Sequence, residues 1–269
     1  MFEPLCASAP PPLSGKRVVV TGGARGIGRE VALMMAAAGA QVAVTARSLA
    51  AAQGTVRDIE ARGGQGHAVE LDLAVRPMVP SAFQSIVSAM GGVDVLVCNS
   101  GIGGPSVPLW DLAEDEWDTV FEVNVTGAFL CAKAATPYMI SARSGAVLFI
   151  GSMTGKRPLL HRAPYAASKM AVLGLCRTLA VDLGSYGVRA NVISPGFIGG
   201  DRLEWVIGRQ AAARGLEPGV VRAEMLRDTP LNRFTSAADV ASTAVFLASD
   251  AAGGITGADI NVSSGLVMY

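Results

Sequence analysis

The chain carries no surplus of either charge: 22 Lys and Arg balance 22 Asp and Glu in 269 residues, and charged residues are only 16% of the whole. Such a balance gives no field with which to gather a polyanion, which argues against a nucleic-acid surface or an anionic-membrane anchor. No apolar run reaches the roughly 18 residues that a membrane-spanning helix requires. Cysteine is scarce: Cys6, Cys98, Cys131 and Cys176 are far apart, with neither metal-ligand spacing nor the density of a disulfide scaffold. They read as reduced thiols, and no metal site is expected. The N-terminus lacks a basic segment followed by an apolar stretch, so no secretory signal is expected and the reading is a cytoplasmic protein. Internal repeats are missing too, and no linker-like stretch follows residue 16.

What is present is apolar residue, at 51%, and glycine, at 32 positions without a period. The first permits a large core; the second implies many tight turns or close backbone approaches. Pro10 to Pro12 suit an extended lead-in over residues 1–13, with a single domain over 14–269. Runs rich in β-branched residues, at 17–22, 41–47, 66–73, 93–101, 145–152, 188–196 and near 259–265, read as strands. Helical patterns separate them, including one continuous stretch over 114–139 and another from Tyr165 to Gly184. Strands apolar throughout, alternating with amphipathic helices, predict an α/β fold: a Rossmann-type, doubly wound parallel sheet of about seven strands with helices on both faces. Residues 197–229 read as an irregular insertion at the edge of the sheet, placed as a substrate lid.

"TGGARGIG" (21–28) follows the first strand and opens the first helix. In that context backbone N–H groups and a helix N-terminus face an anion, so Gly22, Arg25, Gly26, Ile27 and Gly28 are candidate contacts of a dinucleotide's phosphates. The ordinary alternative is a tight turn with no ligand. The second strand ends at Ala46 and Arg47, and no acid appears until Asp58. A carboxylate there would hold ribose hydroxyls, whereas an arginine pairs with a 2′-phosphate. NADP(H) is therefore expected in preference to NAD(H), with Arg47 and Arg25 as its cations.

Tyr165 and Lys169 are spaced i, i+4 and share a helix face. An ammonium near a phenol favours the phenolate, and a phenol so placed can exchange a proton with a carbonyl oxygen or an alcohol. The Ser152 hydroxyl, at the end of the fifth strand, is suited to hold the same oxygen. Asn124 is poorly suited to a helix interior; its amide would bind water or a backbone carbonyl and extend a proton path to the lysine. Each residue also has an ordinary reading as surface pair, turn serine or tolerated polar group.

Taken in order, these motifs resemble those of the short-chain dehydrogenase/reductase family over residues 14–269. "TGGARGIG" is similar to its TGxxxGxG motif, "CNSG" (98–101) to its NNAG segment, and "YAASK" to its YxxxK; "VNVTG" and "GSMTG" carry Asn124 and Ser152. The resemblance implies a catalytic tetrad of Asn124, Ser152, Tyr165 and Lys169. It also implies cofactor contacts at Asn99 and Gly101, Asp72 beside the adenine, and Pro195, Gly196 and Ile198 beside the nicotinamide, with Tyr165 and Lys169 on the nicotinamide ribose. Two departures stand out. Cys98 replaces the first Asn of NNAG, and Gly200 stands where relatives often carry a threonine.

The expectation is an NADP(H)-dependent oxidoreductase that interconverts a ketone and a secondary alcohol. A cofactor-sensing protein on the same fold, or an epimerase or dehydratase, are the alternatives. Enoyl reductases of the family space tyrosine and lysine further apart. Ser152, Met153, His161, Tyr165, Phe197, Ile198 and Trp205 are candidate pocket walls for a small carbonyl substrate, and several suit a core role equally. A homotetramer or homodimer is expected from the resemblance, with "GLVMY" (265–269) as a candidate interface that could equally fold back on its own core.

Overall fold

Seven short apolar runs become the strands β1 (Arg17–Val20), β2 (Gln41–Ala46), β3 (Gln65–Glu70), β4 (Val95–Cys98), β5 (Gly145–Ile150), β6 (Val188–Pro195) and β7 (Asp259–Val262). The protein is seen here in a computed structural model that describes residues 10–269, with the backbone alone at 201 and 202. Cys6 and the lead-in up to residue 9 lie outside the described residues. The strands form one sheet in the order β3-β2-β1-β4-β5-β6-β7, and every pairing is parallel.

The alternation of side chains sends successive residues of the inner strands into different cores. Val18 and Val20 join Val42 and Val44 beneath α1 (Gly26–Ala37), α2 (Leu49–Glu60) and α10 (Ala237–Ala248). Val19, Ala43 and Leu96 enter the opposite core, under α3 (Met78–Met90), α5 (Gly127–Ala142) and α7 (Ala163–Gly184). Both faces are covered, which is why inner strands such as β1, β4 and β5 are almost wholly apolar, while the edge strands β3 and β7 are mixed. Each such buried Val or Leu contributes about 1.5–3 kcal/mol. α10 starts at a reciprocal capping box formed by Ser236 and Asp239.

Because β1 lies between β2 and β4, the winding direction reverses there, and a crevice opens beyond the strands' C-terminal ends. Among the described residues, no helix is long and apolar enough to cross a membrane, and no group of His, Cys, Asp and Glu is placed to hold a metal ion.

Two elements differ from the sequence expectation. The stretch over 114–139 is not one regular helix: α4 (Glu114–Phe121) and α5 are joined by a π-helical turn at Glu122–Thr126, with Asn124 at its centre. Residues 197–229 are largely regular, forming α8 (Asp201–Arg214) and α9 (Pro218–Arg227). Leu203, Ile207 and Ala211 of α8 and Val221 and Met225 of α9 bury a small third core. That core also takes in Val267, so the C-terminal segment folds back, while Met268 and Tyr269 remain exposed.

Candidate active site

The glycine turn between β1 and α1 is shaped by close approach. Thr21 is buried; its hydroxyl accepts from the N–H groups of Asn99 (3.0 Å) and Ser100 (3.1 Å). The Asn99 amide donates to the carbonyls of Thr21 (2.9 Å) and Gly22 (3.0 Å). A Cβ on Gly28 would stand 2.3 Å from that amide nitrogen and 2.4 Å from the Gly22 oxygen, so only glycine fits. Gly26 has φ +54 and open space around its Cα. No side chain caps the N-terminus of α1, and its first turn holds no acid. A diphosphate fits this cradle: the first N–H groups of a helix have no intrahelical partners, no side chain caps them here, and glycines let an anion approach.

The turn is tied to the end of β2, since the Gly23 N–H donates to the Thr45 carbonyl at 2.9 Å. Two residues further on, Arg47 is exposed, as is Arg25 in the turn itself, and neither forms an ion pair among the described residues. The first acid after β2 is already engaged: Asp58 pairs with Arg29 of α1 at 2.7 Å. Asp72 is half-buried after β3 and accepts from the Ala74 N–H at 3.0 Å.

Around Tyr165 the structure joins residues from four elements. Asn124 is 2% exposed inside the π turn. Its Oδ1 accepts from the Ile102 N–H at 2.8 Å, and its Nδ2 donates to the Ile102 carbonyl and to Ser168 Oγ, both at 3.0 Å. Ser168 Oγ donates in turn to the Tyr165 carbonyl at 2.8 Å. Lys169 is 7% exposed; its Nζ donates to the Ile150 carbonyl at 2.7 Å and lies 5.7 Å from the centre of the Tyr165 ring. A Cβ on Gly101 would stand 3.1 Å from Asn124 Oδ1 and 3.5 Å from Lys169 Nζ, so this glycine is where the β4 loop meets the pair. Ser152 lies two residues past β5 and accepts at Oγ from the Thr154 N–H at 3.1 Å, capping the single turn α6 (Met153–Lys156).

The remaining candidates are placed as follows. Pro195 ends β6, and a Cβ on Gly196 would stand 2.7 Å from Ser263 Cα, which holds β6 and the residue after β7 together. Ile198 forms a parallel bridge with Thr235 and is partly buried against the first core. Phe197 and Met153 are buried in the third core, Phe197 edge-on to Phe234. His161 is half-buried with φ +59, and Trp205 is 47% exposed on α8. Gly200 has φ +124 and its carbonyl starts α8, so a threonine there would be strained. Cys98 donates to the Ala128 carbonyl at 3.8 Å, and the side-chain bonds from this segment to the glycine turn come from Asn99. Cys98, Cys131 and Cys176 are free and buried; burial pushes Cys98 well up, and Cys131 and Cys176 to about 12, so all three are inert as nucleophiles.

Sequence reasoning missed Thr21, Ser168 and Arg162. The first two belong to the motifs themselves, as the opening residue of "TGGARGIG" and the fourth position after Pro164. Arg162, buried beside Tyr165, carried no pattern.

Comparison with known proteins finds a family model described as enoyl-(acyl carrier protein) reductase over residues 22–267. A 3-oxoacyl-(acyl-carrier-protein) reductase of Staphylococcus epidermidis is 39% identical over 254 residues, 94% of this chain and 99% of its own. The structure of an NAD+-bound xylitol dehydrogenase matches with TM-score 0.90 at 29% identity, covering 94% of this chain and 99% of that one. A 7α-hydroxysteroid dehydrogenase, complexed with NADH and 7-oxo glycochenodeoxycholic acid, matches with TM-score 0.88 at 34% identity, covering 97% of each chain.

Proposed function

The chain belongs to the short-chain dehydrogenase/reductase family, nicotinamide-dependent oxidoreductases acting on CH–OH and C=O groups, and on that premise we propose that it interconverts a ketone and a secondary alcohol with Tyr165 as acid and base. The observation that carries this reading is the buried Lys169 ammonium beside the Tyr165 ring, in a shell fixed through Asn124 and Ser168.

The nicotinamide, when bound, supplies or accepts the hydride. Tyr165 Oη gives its proton to the carbonyl oxygen in reduction, or takes one from the hydroxyl in oxidation. Lys169 favours the phenolate by its charge and is the next proton carrier inward. Ser152 Oγ holds the substrate oxygen against Tyr165. Asn124 fixes the loop at Ile102 and, through Ser168, the first turn of α7, so the tyrosine keeps its position while its proton moves.

Gly22, Gly26, Ile27 and Gly28 cradle the diphosphate, with Asn99, Gly101 and Asp72 toward the adenine half and Pro195, Gly196 and Ile198 toward the nicotinamide. Arg47 and Arg25 receive a 2′-phosphate, a reading supported by their exposure and by the engagement of Asp58 with Arg29. α8 and α9 form the lid over the substrate. Trp205 and His161 line it, and Phe197 and Met153 back it from the third core. A ketone with an apolar or ring portion suits these walls. The working form is a cytoplasmic homotetramer or homodimer, in keeping with the three free thiols among the described residues.

The test is oxidation of NADPH and NADH in parallel against ketones, ketoesters and ring ketones, with the wild type and Arg47→Glu. Faster turnover with NADPH, reversed by Arg47→Glu, is expected. Faster wild-type turnover with NADH would overturn the phosphate assignment and leave the reaction class standing.

A further inference from the structure

Arg162 breaks a local rule. It is the N-cap residue of α7, where the helix dipole disfavours a cation, and it is 5% exposed, where an arginine is costly. The residue before it, His161, has φ +59, a left-handed conformation that a non-glycine residue rarely adopts. Three departures from ordinary preference at one turn, next to the acid/base tyrosine, call for a compensating interaction.

The geometry supplies one. The guanidinium carbon of Arg162 lies 5.1 Å from the centre of the Tyr165 ring and 5.7 Å from that of Trp205. Lys169 Nζ lies 5.7 Å from the centre of the same Tyr165 ring, so two cations stand beside one phenol. Its Nη1 also reaches the carbonyls of Gly104 and Pro105, both at 3.4 Å, which fixes the guanidinium against the loop after β4. A flat guanidinium stacks on aromatic faces where an ammonium does not.

We propose that Arg162 is a positioning residue of the acid/base tyrosine: held over the rings of Tyr165 and Trp205, its guanidinium stabilises the phenolate together with Lys169 and couples α8 to the reacting end of the site. This rests on the reading of Tyr165 given above. Two cations stand over this ring, Lys169 from α7 itself and Arg162 from the turn before it. On the neighbouring elements Glu204 of α8 pairs with Arg222, Lys156 of α6 with Asp259, and Glu122 of the π turn with Arg76.

The experiment is a spectrophotometric titration of tyrosinate, practicable because the chain has only 4 tyrosines. The Tyr165 component is taken as the difference from Tyr165→Phe, and the pH profile of kcat for alcohol oxidation is measured beside it. Arg162→Met is expected to raise the ionisation of Tyr165 by at least about one pH unit, the size of effect that an opposite charge at this range exerts. Its oxidation rate then falls about tenfold at neutral pH and recovers in alkali. His161→Gln is expected to leave the tyrosinate titration in place. Should Arg162→Met fail to fold, Arg162→Lys replaces it; lysine keeps the charge but not the stacking, and a smaller rise is expected. An unchanged Tyr165 titration in the folded variant, with an unchanged pH profile, would overturn the role of Arg162 and reduce it to packing. Absence of turnover in the wild type would instead strike at the functional reading, while the titration still reports on Arg162.

Discussion

Asn124 holds Ile102 by both of its backbone groups, accepting from the N–H at 2.8 Å and donating to the carbonyl at 3.0 Å. One side chain thus does what a neighbouring strand would do for that residue, and the π turn is what aims it there. Asn124→Ala leaves a buried N–H and carbonyl without partners, and is expected to destabilise the fold by about 2 kcal/mol or more. Tyr165 would lose its register with the loop, for a drop in turnover of about 10²-fold. Asn124→Asp cannot donate to Ile102 or Ser168 and should do no better. Denaturant titration and steady-state kinetics of both variants check this; wild-type values in Asn124→Asp would contradict it.

A second prediction concerns the buried ion pair that joins α6 to β7. Lys156 Nζ lies 2.7 Å from Asp259 Oδ2, with side chains 10% and 8% exposed, and Asp259 Oδ1 has no hydrogen-bond partner. The Lys156 carbonyl also accepts from the Tyr269 hydroxyl at 3.2 Å. Removing one charge strands the other, so Lys156→Met is expected to cost about 3–5 kcal/mol. The double variant Lys156→Met/Asp259→Leu should recover most of that loss. Additive losses in a double-mutant cycle would show that the two charges do not depend on each other.

Acid sensitivity is expected from Asp94. Burial pushes its carboxyl up, but the Arg17 side chain, the Arg17 N–H and the charges of Arg17 and Lys16 outweigh this and hold it below the ordinary carboxylate value. Arg17 grips it through Nε at 2.8 Å and Nη2 at 2.7 Å. A carboxyl lowered by folding contributes stability above its unfolded value, near pH 4, and loses it as pH falls through the folded value. Asp94→Asn is therefore expected to melt below the wild type at neutral pH, with the gap closing as pH falls below about 4. Thermal melts across pH settle it, and a gap constant with pH would contradict it.

How much of this was legible in the sequence depended on whether a feature has a period. The strands were, because residues such as Val18 to Val20 or Val147 to Phe149 are apolar on both faces of the sheet. The π turn at Glu122–Thr126 was not, since it shifts hydrogen bonds by one residue without disturbing the apolar pattern around it; only the unease of an asparagine in a helix pointed there. Residues 197–229 looked irregular because arginine and glycine obscure a short stripe, Leu203–Ile207–Ala211, that only the third core makes sense of. Tyr165, Lys169, Asn124 and Ser152 announced themselves by motif. The bonds from Lys169 to Ile150 and from Asn124 to Ile102 did not, because their acceptors and donors are backbone groups that every residue has.

The most direct test of the proposed chemistry is Tyr165→Phe, assayed for turnover and, separately, for nicotinamide binding by fluorescence. The ring keeps its place beside Lys169 and Arg162, and only the transferable proton is removed. Turnover is expected to fall by about 10²–10⁴-fold while cofactor affinity stays within about threefold of the wild type, roughly 0.6 kcal/mol. A Tyr165→Phe enzyme that binds cofactor and turns over at the wild-type rate would show that the proton comes from elsewhere.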